Sequence, residues 1–253
     1  MSSEANNALL PLDQQRTFQV NYLNHRYSLT FDRISQADWQ RFFAGMHVAA
    51  SNTKQGKSIS NSRDFQLIEL ATTKLSRVEG YSGDLMSKPD WKNRVHPALL
   101  RAAAEKLVEV RISESAGDRP LDPDSIDIVL DAAWGLHTFK GLVHRFTPPT
   151  VDHKRAYLNA KSQSVIVGGS RDSTTLYANS SGTVLKIYDE LIQSVDGYGV
   201  TIAGPEAVQF RMRQLTDRAQ IVEHMDAYHK FEAALWLFEG GAPAGEAQVE
   251  EAA

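Results

Sequence analysis

The chain has 253 residues, with 27 Lys and Arg against 31 Asp and Glu, a net charge of -4 and no cysteine. That length suits one large domain or two small ones. The missing cysteines exclude disulfides, thiolate catalysis and Cys-ligated metal centres, and the acidic balance predicts no general attraction to nucleic acid or anionic membrane.

Residues 1–16 are polar, lack the basic start of a signal peptide, and are expected to be loose. No apolar window is long enough to cross a membrane, so a cytoplasmic protein is expected (host cytoplasm if the chain is viral). "TFQVNYL" and "HRYSLTF" alternate apolar and polar residues and predict two strands with a tight turn at Asn24. Ser35 three residues before Asp38 predicts a capped helix that turns Trp39, Phe42 and Phe43 inward. "ASNTKQGKSISNSR" reads as a polar loop, and Phe65 to Val78 as the apolar stripe of a second helix stopped by Gly80. "VHPALLRAAAEKLVEVRI" predicts a third helix, with Pro97 in its first turn.

Residues 113–125, rich in proline and charge, read as a linker. Beyond them "IDIVLDAAWGLHTF" and "LVHRF" predict strands around a Lys140–Gly141 turn, although Ala132 to Trp134 could also be helical. "TPPTVDHKRAYLNA" predicts a helix capped by Thr150. "SVIVGGSRDSTTLYANSSG" reads as a loop that is irregular or contains strand, and "TVLKIYDELIQSVDGYG" as a helix with its glycine stop. The stretch from Gly204 to Gly241 reads as helical for most of its length, and the small, acidic residues 240–253 as a disordered tail.

The two halves echo each other. Val78-Glu79-Gly80-Tyr81 returns as Val195-Asp196-Gly197-Tyr198, and His25-Arg26-Tyr27 can be set against His144-Arg145-Phe146. Asp38, Arg41 and Phe43 then fall opposite Asp152, Arg155 and Tyr157, and Ala103-Ala104 opposite Ala233-Ala234. The fold expected is therefore α+β. It has two similar tandem units, 17–112 and 126–239, each a short β-hairpin followed by about three helices.

No catalytic signature stands out. The histidines show neither H-E-x-x-H nor H-x-H spacing and are expected to be solvated or capping, so no metal, cofactor or catalytic residue is assigned. "VGGSRDS" lacks a phosphate-loop pattern, and the Asp118–Asp131 cluster lacks that of a calcium loop. The candidates are structural or interface residues: Gly80, Tyr81, Gly197, Tyr198, His25, His144, Trp39 and Tyr157.

"HRFTPPTVDHKRAYLNA", His144 to Ala160, resembles the apolar-x-x-P-T-x-x-D/E lead-in to the helices of tail-assembly chaperones and related tail-associated proteins of long-tailed phages and prophages, with its acid, Asp152, one residue early. The first half lacks the Pro-Thr. The resemblance implies a non-enzymatic partner of tail components such as tape-measure or tube segments, with no catalytic residues to carry over. The expected function is thus protein interaction or assembly, with protein partners and no nucleic acid. The alternative is an enzyme or small-ligand binder with a site between the units, centred on His25 and His144.

Overall fold

The computed structural model describes residues 9–46, 48–53, 56–113, 122–162, 164–169, 172–177, 181–203 and 210–239. Strands β2 (Arg16–Tyr22) and β3 (His25–Phe31) form the first hairpin. Leu23 and Asn24 both take positive φ (47° and 63°), the twist a two-residue hairpin turn requires. Helix α1 (Gln36–Gly45) opens with the expected capping box: the Ser35 hydroxyl accepts from Asp38 N–H, and the Asp38 carboxylate accepts from Ser35 N–H.

The Ser/Asn-rich stretch expected as a loop instead holds a second hairpin, β4 (Val48–Thr53) and β5 (Gly56–Asn61). Its ladder runs from Val48 opposite Asn61 to Thr53 opposite Gly56. Helix α2 (Arg63–Lys74) ends sooner than its stripe suggests, and Leu75–Glu79 form strand β6, antiparallel to β3. Leu75 and Val78 stay buried either way, which is why helical spacing counted them. Gly80, at φ 102°, therefore follows a strand and not a helix. A single 3₁₀ turn (Trp91–Arg94) leads to α3 (Pro97–Leu107), where His96 caps by accepting from Ala98 N–H and Pro97 sits in the first turn.

Strand β7 (Val110–Ile112) pairs with β8 (Ile126–Trp134), and β8 with β9 (His137–Phe146). The turn lies at Gly135–Leu136, not at Lys140–Gly141. Gly141, with φ 71°, donates its N–H at 3.0 Å to the buried Asp131 carboxylate, beside a shift in the β8–β9 register. Helix α4 (Val151–Ser162) is preceded by Thr150. Next come hairpin β10 (Ser164–Gly169) and β11 (Asp172–Tyr177), helix α5 (Ser181–Leu191), and strand β12 (Ile192–Asp196) back against β9. The stretch expected as mostly helical contains strand β14 (Phe210–Gln214), paired with β13 (Tyr198–Ala203), then helices α6 (Arg218–His224) and α7 (Ala227–Glu239). With a short strand β1 (Leu10–Pro11), among the described residues this is a mixed α/β fold with four sheets, β2-β3-β6, β12-β9-β8-β7, β1-β13-β14 and β10-β11-β4-β5. No described helix is long and apolar enough to cross a membrane.

Two apolar cores sit side by side. One gathers Phe18, Phe31, Trp39, Phe42, Phe43 and Leu99, the other Leu130, Phe146, Val184, Tyr188 and Ile221. Two segments sit in the core of the other half. Leu10–Pro11, strand β1, runs parallel to β13 and places Leu10 and Leu12 in the second core, so these two side chains are buried in a segment expected to be loose. Conversely, Ala227 and Tyr228 of α7 belong to the first core. The tail 240–253 and most of the linker lie outside the described residues.

Candidate functional site: a sealed polar seam

Where the cores meet, a row of polar side chains runs through apolar surroundings. Strand alternation turns His144 of β9 inward, and it is fully buried. Its Nδ1 lies 2.9 Å from the Tyr188 hydroxyl on α5, and its Nε2 lies 2.7 Å from the Tyr198 hydroxyl on β13. The Tyr198 oxygen is also 3.0 Å from His229 Nδ1 on α7. One hydrogen-bond chain, Tyr188–His144–Tyr198–His229, thus joins four elements. Running it from Tyr188 towards His229 gives each hydroxyl hydrogen an acceptor and makes His144 the Nε2–H tautomer.

An ion pair continues the seam. The Arg16 guanidinium at the start of β2 bonds the Asp226 carboxylate ahead of α7, and both are almost fully buried. The guanidinium carbon lies 3.4 Å from the centre of the Trp134 ring, a cation–π stack that replaces part of its lost hydration. Asp226 also accepts Tyr228 N–H at 2.9 Å. Next to it Lys230, 3% exposed, donates to Asp189 on α5 at 2.8 Å and to the Val222 carbonyl at 2.6 Å.

Burial sets the ionisation. It pushes His144 well below the ordinary imidazole range, with His229 adding to the effect. It takes His229 down to about 4, opposed by Asp226 and reinforced by Arg16. The Tyr188 and Tyr198 hydroxyls are driven up by the same burial. Desolvation also works against an ionised Asp226, but Arg16 and the hydrogen bonds outweigh it and hold this carboxyl below its usual range. The imidazoles are therefore neutral at pH 7, and the charge is confined to Arg16–Asp226 and Lys230–Asp189. Because His144 and Tyr198 have no exposed surface, no bound molecule reaches them unless the fold opens.

The sequence candidates divide accordingly. Tyr198 and His144 meet in the seam. His25 is exposed at the start of β3 and is not brought to His144. The ladders set Leu29 opposite Val78 and His144 opposite Val195. Tyr81 stacks edge-on against Tyr27 and accepts the His96 N–H at 2.8 Å, tying β6 to the start of α3. Tyr157 donates to Glu239, joining α4 to the end of α7, and its ring stacks on Phe238. Trp39 is wholly buried against Phe42, Phe43 and Tyr228. Of the histidines expected to be solvated or capping, His96 is a cap and His153 lies 2.8 Å from the Thr150 hydroxyl, while His144 and His229 are core residues. Sequence reading missed Arg16, Asp226, His229 and Lys230. Among the described residues no three His, Asp or Glu gather as metal ligands. Of the acidic cluster, Asp127 pairs with Arg145 at 2.7 Å and Asp122 accepts Asp124 N–H, while Asp118 lies outside the described residues.

Comparison with family models, with curated proteins and with solved structures finds no match to the chain.

Proposed function

We propose that this chain is a non-catalytic assembly protein built from two tandem copies of one α+β unit. On the resemblance of His144–Ala160, it serves the assembly of a phage or prophage tail. The observation that carries the non-catalytic reading is the sealed seam: the strongly perturbed imidazoles spend these hydrogen bonds on core tyrosines, out of reach of substrate. Perturbed ionisation marks a reactive site only where a cleft meets it.

Matching details support the tandem reading. Hairpin, helix, hairpin, helix and returning strand follow one another in both halves. The returning strand slips past one residue in each, Ser76 between the Leu75 and Arg77 pairings and Gln193 between those of Ile192 and Ser194. Lys74 and Leu191 accept backbone N–H groups from Asp32 and Thr147, the residues just after β3 and β9. Positive-φ glycine and then tyrosine follow each returning strand. Counted from Ser35 and Thr150, buried Tyr157 stands with Phe42 rather than with Phe43.

A ligand site between the units, the alternative, calls for His25 and His144 to converge on an open pocket, and exposed His25 and enclosed His144 weigh against it. Co-expression of the full chain with the genes that adjoin its own, followed by native mass spectrometry, tests the proposal. A stoichiometric complex with a tail-tube or tape-measure product is expected. A small molecule retained by the purified chain, with no protein complex, overturns it.

A further inference from the structure

Resting on the tandem reading, the geometry points to head-to-tail self-assembly: a second copy of this chain continues the four-stranded hairpin sheet and docks its α4 on the α2/α3 groove. The junction inside the chain supplies the template. There β4 of the first half pairs with β11 of the second, the leading strand of one hairpin against the trailing strand of the other. Beside it α1, which runs into β4, packs on α5 and α7. Phe43 of α1 is nearly buried there, its ring stacked on Tyr228 and 4.9 Å from that of Phe231.

Exchanging the halves in this junction pairs β10, the leading strand of the second hairpin, with β5, the trailing strand of the first. Both strands are sheet edges with one partner each among the described residues, at opposite ends of the order β10-β11-β4-β5. An unpaired edge presents a row of backbone donors and acceptors that readily accepts another strand. The same exchange sends α4, which runs into β10, onto α2 and α3.

The side chains fit the exchange. Counted from the caps, Leu158 of α4 takes the position of Phe43; it is 61% exposed, and Val151 on the same helix is 70% exposed. Ile68 takes the position of Leu185, which packs against the first core across the junction. Ile68 lines a groove of about 260 Å³ between α2 and α3 with Phe65, itself 68% exposed. Thus two strand edges and two apolar surfaces lie open where the inner junction has its counterparts covered. Because the donating and receiving surfaces differ, the contact is heterologous and propagates until a ring closes or a filament grows.

Light scattering coupled to size exclusion, run on the full chain over a wide concentration range, reads the outcome. Wild type is expected to form species larger than a dimer. Leu158→Glu blocks the donating surface and Phe65→Glu the receiving one; both positions are exposed, and circular dichroism checks that each variant folds. Each variant alone is expected to be monomeric, while an equimolar mixture yields a heterodimer through its one intact pair of surfaces. A wild type that stays monomeric, an oligomer that survives either substitution, or a mixture that stays monomeric overturns the inference. A monomeric wild type leaves a partner of different sequence to the co-expression test, so the two proposals fail separately.

Discussion

His144 Nε2 and the Tyr198 hydroxyl lie 2.7 Å apart at full burial, so an inner strand of one sheet is joined to the first residue of a strand in another by a neutral hydrogen bond. His229 shares the same hydroxyl. Tyr198→Phe therefore leaves two imidazole nitrogens without their partner. An unsatisfied buried polar group costs about 1–3 kcal/mol. The variant should unfold at markedly lower urea concentration, whereas Tyr188→Phe, which strips one contact, should lose less.

Acid should weaken the fold through the same residues. His229, lowered to about 4, and His144, lowered by burial, bind protons more readily once unfolded. Stability is then complete above the unfolded imidazole value and falls as pH drops from about 6.5 towards 4, by roughly 1.4 kcal/mol per pH unit for each fully titrating histidine. Urea titrations between pH 7 and pH 4.5 measure the slope. Wild type should be steeper than His229→Gln, and equal slopes would remove His229 from the account.

The Arg16–Asp226 pair should show strong coupling. Removing one member of a buried pair strands the other charge, at about 3–5 kcal/mol. Arg16→Met and Asp226→Ala should each approach that loss, and the double variant should lose far less than their sum. A double-mutant cycle in urea gives the coupling, and additive losses would refute it.

Gly80 and Gly197 should respond unequally to alanine despite their shared positive φ. A Cβ at Gly80 would stand 2.5 Å from the Arg26 carbonyl oxygen, which is backbone; at Gly197 it meets the Leu142 Cδ2 at 2.8 Å, the end of a side chain able to turn away. Gly80→Ala is expected to lower the melting temperature more than Gly197→Ala does, which calorimetry can rank.

The first hairpin and the capped helix α1 were legible because local chemistry dictates them: alternation, an Asn turn and a Ser–Asp box. Gly80 and Gly197, expected to stop helices, each follow a strand instead. The hairpin β4–β5 was not legible, and β10–β11 was so only as a loop that could contain strand. The Ser/Asn-rich sequence of β4 and β5 carries little apolar alternation, and β4 also pairs with β11, far away in the chain. The seam was hidden for a related reason. His144 finds its partners 44 and 54 residues onward, and Arg16 finds Asp226 210 residues away. Helical spacing also ran through Leu75 and Val78 because a buried strand spends its apolar residues at intervals that overlap a helical stripe.

The exchange of chain ends between the cores bears on how the molecule comes apart. Leu10 and Leu12 complete the second core, Arg16 holds Asp226, and Tyr228 completes the first. A protease that cuts the chain between the halves would therefore release two fragments that each lack pieces held by the other. They would stay together as a non-covalent pair, and neither would refold alone.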